Sequence, residues 1–162
     1  MFIGSHPAAS GTARLPGTPG RTSRLDAMAV QTFEHTVTEG DTAAVLGSGD
    51  LAVLATPRLI NWLERAAYAV AKASCPAGQT SVGTLVKVEH LKASPVGAVV
   101  TCTCSKPISD GRRLIFHVKA VDDAGEQVAV GEMHRRLVDP QRFMTRFVEA
   151  AEAAAAPATP AE

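Results

Sequence analysis

The chain has 162 residues, and its sixteen basic and sixteen acidic side chains balance to a net charge of zero. That length suits one domain with one core, and the balanced charge argues against nucleic-acid binding or a polybasic membrane contact, both of which need a local excess of Lys and Arg. No stretch approaches the ~18 consecutive apolar residues of a membrane span. Three cysteines, Cys75, Cys102 and Cys104, with no charged-then-apolar leader ahead of the domain, point to a reducing cytoplasm rather than a secreted disulfide scaffold.

Residues 1–28 are dense in Gly, Pro, Ser, Thr and Arg, lack apolar periodicity, and read as a disordered arm. The domain is expected over 29–152. Gln31 to Thr38 alternates as a first strand, 41–55 form a small lid-like segment, and 57–74 carry helical periodicity that stops before Pro76 and Gly78. Four strands follow at 82–91, 97–108, 112–122 and 127–138, the last three joined by the short turns Ser109-Asp110-Gly111 and Asp123-Ala124-Gly125. Pro140 to Glu152 reads as a closing helix, and 153–162, with Pro157 and Pro160, as a disordered tail. One long helix followed by an antiparallel meander that can wrap it is an α+β arrangement.

The long helix starts with clear signals: Thr56 suits an N-cap and Pro57 the first helical position. Leu59, Ile60, Leu63, Ala66, Ala67, Val70 and Ala71 recur at helical spacing, and Glu64 falls on the same row as Ile60, Ala67 and Ala71. A carboxylate on an apolar row is paired, protonated or functional, because burying it unpartnered costs several kcal/mol. Surface bases such as Arg58 or Arg65 are the ordinary partners. Thr56, two turns earlier, and His90, which ends the alternating run from Gly83, are the chemical ones. Cys102 and Cys104 face one side of a strand and read as small core residues. No phosphate-binding glycine loop, dinucleotide fingerprint or metal-spaced Cys/His cluster appears, so neither a metal nor a cofactor is expected.

Ala55-Thr56 opening the helix, Glu64 eight residues on, and Gly83-Thr84 shortly ahead of a strand-terminal His90 together resemble the fluoroacetyl-CoA thioesterase family of hot-dog-fold enzymes. The likeness continues through Ala93-Ser94-Pro95-Val96-Gly97, Asp110-Gly111-Arg112-Arg113-Leu114 and Gly131-Glu132-Met133-His134-Arg135, covering roughly residues 30–147. The resemblance implies a hot-dog fold: a five-stranded antiparallel sheet around the long central helix, plus the C-terminal helix, assembled as a homodimer. It implies hydrolysis of short or medium acyl-CoA thioesters, with Thr56, Glu64 and His90 as catalytic residues and Gly83 beside the acyl pocket, where a side chain would intrude. Thr84, Leu54 and the turn arginines Arg112 and Arg113, whose guanidinium groups match phosphate oxygens, join Gly83 as candidate substrate-binding residues.

Glu64 would act as general base or as nucleophile, His90 would move protons, and backbone N–H groups at the helix N-terminus would hold the oxyanion. The fluoroacetate-selective member of the family has phenylalanines in its lid, whereas residues 43–55 here contain no aromatic side chain. Thioesterase activity is therefore expected without special fluoroacetyl preference. An acyl-thioester hydratase or dehydratase, which would also use an acid and a His, and a non-catalytic acyl-CoA binding protein are the rival readings.

Overall fold

A computed structural model describes residues 29–155 of the chain, with side chains described for 31–148. The strands are β1 (Ala29–Thr36), β2 (Thr80–His90), β3 (Val99–Ser105), β4 (Ile108–Asp110), β5 (Arg113–Asp122) and β6 (Gln127–Val138). The helices are α1 (Ala43–Leu46), α2 (Thr56–Ser74) and α3 (Pro140–Ala155). The expected disordered arm, 1–28, lies outside the described residues. So does 156–162 of the expected tail, whereas 153–155 belong to α3.

All six strands form one antiparallel sheet in the order β1-β3-β5-β6-β2, with β4 paired beside β5. The expected five strands are the five long ones. The sixth, β4, arises because the turn into β5 is tighter than expected: Ser109 and Asp110 pair with Leu114 and Arg113, and Gly111 turns the chain in the left-handed region at φ 57°.

Period-two alternation selects the inner face of the sheet. Val100, Cys102 and Cys104 of β3 and Leu114, Phe116, Val118 and Ala120 of β5 are buried, and they meet Leu59, Trp62, Leu63, Ala66, Ala67, Val70 and Ala71 of α2. Burial pushes the thiols of Cys102 and Cys104 up to about 12, so both are inert, small core side chains. Truncating fully buried Phe116 to alanine removes about 3–5 kcal/mol of stability. On β1, which pairs only with β3, His35 stacks on Trp62 with ring centroids 4.4 Å apart and planes 7° from parallel.

β2 is the other edge of the sheet and pairs only with β6. The two strands approach so closely at Gly131 that a Cβ there would stand 2.1 Å from the Lys87 carbonyl oxygen. Leu85 and Val86, in mid-strand, are exposed. An edge strand with apolar, open side chains is a place for another strand to add.

The lid-like segment is tied at its roots. Thr42 bridges Leu54, Ala43 N–H donates to Val53 C=O, Leu54 N–H donates to Ser94 C=O, and Ala55 N–H donates to Asp41 C=O. Its tip is open: Val45 and Leu51 are exposed, and Gly47 ends α1 at φ 67°. Leu54 itself is 2 % exposed and sits in the core. Expected as a substrate-binding residue, it is held facing inward beneath the lid by the root hydrogen bonds.

Candidate active site

Thr56 is the first residue of α2, and Ala55, at φ −70° and ψ 136°, is the cap. The expected N-cap role of Thr56 is corrected accordingly, with Pro57 moved one position into the helix. The Thr56 hydroxyl has another partner, His90 at the end of β2, with Oγ1 2.9 Å from Nδ1. Two proton arrangements satisfy this contact. Either the hydroxyl donates and Nε2 carries the ring proton, or Nδ1–H donates and Nε2 is a free base. His90 Nε2 is buried and has no hydrogen-bond partner among the described residues. Burial holds the imidazole below its ordinary pKa of 6.5, partly offset by a backbone contact to Lys92, so the ring is neutral at pH 7 and able to accept a proton.

Glu64 is elsewhere on the helix. Eight residues of α-helix separate it from Thr56 by about 12 Å along the axis, and within one chain it joins neither Thr56 nor His90. Its side chain is 41 % exposed, which also corrects the expected burial. Ile60, Glu64 and Tyr68, each one turn from the next, form the margin of the core-facing stripe and are only partly covered, whereas Ala67 and Ala71 are fully buried.

The partner of Glu64 is Arg135. Nη1 donates to Glu64 Oε1 at 3.1 Å, Nε donates to Ser81 Oγ at 3.0 Å, and Nη2 donates to the Ser81 carbonyl at 3.0 Å. Tyr68, one turn along α2, lies under the guanidinium at 5.3 Å. Each nitrogen of this buried cation thus has one partner, and its position is set by backbone as well as side chains. Arg135 was missing from the expected site residues. The available signal was its phase: it alternates with core-facing Met133 and Leu137 on β6, an inward position for a charge.

Gly83 lies directly beside the carboxylate. A Cβ on Gly83 would stand 2.5 Å from Glu64 Oε1, so a hydrogen side chain leaves the acid its place. Thr84 follows at a register shift in the β2–β6 ladder, and its hydroxyl donates to the His134 carbonyl at 3.2 Å. The two turn arginines part company. Arg113 turns onto the outer face of the sheet, where Nη2 donates to His134 Nδ1 at 2.9 Å, while Arg112 faces an open cavity shared with Gly83 and Thr84. Because a guanidinium only donates, His134 carries its proton on Nε2, 3.6 Å from Glu132 Oε2. His134 Nε2 is buried and without a hydrogen-bond partner among the described residues. Arg58, a possible partner for Glu64, pairs with Asp41 at 2.8 Å instead.

Among the described residues no group of three His, Cys, Asp or Glu side chains could hold a metal ion, and no helix is long and apolar enough to cross a membrane.

Comparison with known proteins gives a consistent picture. The curated fluoroacetyl-CoA thioesterase of Streptantibioticus cattleyicolor is 31% identical over 91 residues, 56% of this chain, and the chain spans 65% of that relative's length. A crystal structure of the fluoroacetyl-CoA-specific thioesterase with fluoroacetate and CoA, in a single-residue variant, superposes at a TM-score of 0.64 with 26% identity, covering 70% of this chain and 94% of that one. A thioesterase-superfamily member from Thermus thermophilus superposes at 0.70 with 22% identity over 75% of this chain and 90% of its own, a likeness of hot-dog fold. The model of the fluoroacetyl-CoA-specific thioesterase family matches residues 37–141, from the end of β1 into α3 and across every site residue described above. The chain belongs to the fluoroacetyl-CoA-specific thioesterase family.

Proposed function

We propose that this protein hydrolyses short or medium acyl-CoA thioesters to the free acid and CoA. The observation that carries the reading is the Thr56–His90 pair at the N-terminus of α2, with Oγ1 2.9 Å from Nδ1 and a buried, unpartnered Nε2. The first N–H groups of a helix have no intrahelical acceptor and lie at the positive end of its dipole, which suits the oxyanion of a tetrahedral thioester adduct. His90, neutral through burial, accepts at its free Nε2 the proton that Glu64 takes from water and delivers it to the departing thiolate, while Thr56 orients the ring.

Glu64 activates water. Arg135 engages Oε1 alone, leaving Oε2 to take the proton of the attacking water. The acid and the Thr56–His90 pair come together across a homodimer. In a two-fold antiparallel pairing of β2 edges centred between Val86 and Lys87, Gly83, beside which Glu64 lies, falls opposite the partner's His90. Support for this pairing comes from the open edge and exposed Leu85 and Val86, and from the separation of Glu64 and Thr56 along one helix. Three free cysteines favour a cytoplasmic location.

The test is release of free thiol from acetyl-, butyryl- and hexanoyl-CoA, followed with a thiol reagent, together with mass by light scattering. Turnover by a dimer is expected. Binding without thiol release would favour the non-catalytic reading, hydration of an enoyl thioester the hydratase reading, and an active monomer would remove the shared site.

A further inference from the structure

On the outer side of the sheet, α3 leaves β6 at an angle that opens a cavity of about 570 Å³ between its first two turns and strands β2 and β6. Four guanidinium groups line it, those of Arg112, Arg136, Arg142 and Arg146, against one carboxylate, Asp139. Asp139 does not balance them: its Oδ1 accepts the backbone N–H of Arg142 at 2.8 Å and caps the helix. Among the described residues none of the four arginines forms an ion pair.

In a chain of zero net charge, gathering a formal +3 in one concavity is unfavourable by simple Coulomb repulsion. It becomes favourable when a polyanion is present. Planar guanidinium forks bind phosphate oxygens in pairs, the volume is that of a small-molecule site, and Phe143, also in the lining, offers a ring face to a planar base. The cavity has one further property. Gly83 and Thr84 form part of its wall, and Gly83 is also the residue whose inner side abuts Glu64. The arginine cavity and the candidate catalytic acid are therefore separated by one strand edge.

We infer that this cavity receives the phosphorylated nucleotide end of acyl-CoA, its arginines taking the phosphates and the pantetheine arm passing round β2 on the Val82 side of Gly83, beyond the last pair of the proposed β2–β2 seam, toward Glu64. This rests on the acyl-CoA reading above. The same chemistry would admit a free nucleotide phosphate, so the experiment separates the two.

The 162-residue protein and the variants Arg142→Ala, Arg146→Ala and their double, all at exposed helix positions where folding is checked by circular dichroism, are compared on acetyl-CoA, acetyl-3′-dephospho-CoA and the phosphate-free acetyl-N-acetylcysteamine. Calorimetry measures binding of adenosine 3′,5′-bisphosphate. The double variant should lose at least about tenfold in kcat/KM on acetyl-CoA through KM, lose preference for acetyl-CoA over the phosphate-free thioester by a similar factor, and bind the bisphosphate correspondingly more weakly. Equal losses on both thioesters, or none, would overturn the inference. So would bisphosphate binding that fails to compete with acetyl-CoA, since that describes a free-nucleotide site. If neither thioester is hydrolysed by the unaltered protein, the thioesterase reading falls, and the inference stands or falls on calorimetry alone: acetyl-CoA and the bisphosphate must compete for one site that the double variant weakens.

Discussion

Arg135 and Glu64 form an asymmetric pair: the arginine is buried and held by three hydrogen bonds, two of them to Ser81, while the glutamate is half exposed and held by one. The asymmetry separates the consequences of mutating each. Glu64→Gln leaves Arg135 with both bonds to Ser81 and its contact with Tyr68, so stability should change by only about 1 kcal/mol, while turnover falls at least ~100-fold, the usual scale for a lost general base. Arg135→Met removes the buried anchor and strands Ser81, with an expected loss of about 3 kcal/mol. Thermal melts and acetyl-CoA turnover on both variants check this. Equal destabilisation by the two changes would mean the pair is purely structural.

Gly83→Ala addresses the same carboxylate from the other side. The added Cβ would meet Glu64 Oε1 at 2.5 Å, and the contacted atom is the free end of a flexible side chain, so the clash is relieved by moving the acid rather than the backbone. A displacement near 1 Å at a catalytic group costs about 100-fold in rate. The expected outcome is a large fall in kcat with a melting temperature within a few degrees of the parent. At Gly131 the opposite holds, because the clash is with the Lys87 carbonyl and the Val88 Cα. Gly131→Ala should unfold or severely destabilise the β2–β6 edge, and a stable, active variant would contradict the close strand approach.

The pH dependence follows from His90. Burial lowers its pKa in the folded protein below the ordinary 6.5, so between the folded and unfolded values the unfolded chain binds more protons. Stability therefore rises with pH through that window and is lost as pH falls through it. His35, lowered mainly by burial and also by Arg65, adds to the same slope. Activity should fall on acidification with an inflection below 6.5, since protonated His90 cannot accept a proton. Profiles of kcat/KM and melting temperature from pH 8 to 5 check both. In His35→Gln the stability slope should shrink while the acid inflection in kcat/KM remains, and an inflection that vanished with His35 would assign the titration to the wrong ring.

Much of this site was legible from residue order, and the rest was not for definable reasons. The extents of α2 and of the five long strands follow from apolar periodicity, because a single core gives each element one buried face. Thr56 and His90 were readable as candidates, but their 2.9 Å contact joins residues 34 positions apart and depends on where β2 ends. Glu64 looked buried because Ala67 and Ala71 on its row are core residues, although Glu64 itself shares the margin of the packed stripe with Ile60 and Tyr68. Arg135 was visible only as an inward phase on a strand, and its link to Glu64 spans 71 positions, a contact that no local pattern encodes. The inward facing of Leu54 was not legible either, because root hydrogen bonds of the lid, not its own hydropathy, decide which way it faces.

The lid sets the last expectation, for selectivity. Its roots are pinned through Thr42, Leu54 and Ala55, and its tip carries no such ties: Val45, Leu46 and Leu51 are exposed there and Gly47 takes a left-handed turn. These side chains present alkyl surface alone. They can close over a short acyl chain, but they lack the aromatic faces that the fluoroacetate-selective relative carries in this segment, and an added apolar contact changes discrimination by only about 1–3 kcal/mol. We therefore expect comparable kcat/KM for acetyl-CoA and fluoroacetyl-CoA, to within about 100-fold, and an equal or better value for butyryl-CoA. Leu46→Phe or Leu51→Phe, placing a ring at the tip, should shift the ratio toward fluoroacetyl-CoA. A parent ratio thousands of times in favour of the fluorinated substrate would locate selectivity in the Glu64–Arg135 region instead, where the charged pair, not the lid, would read the polar C–F bond.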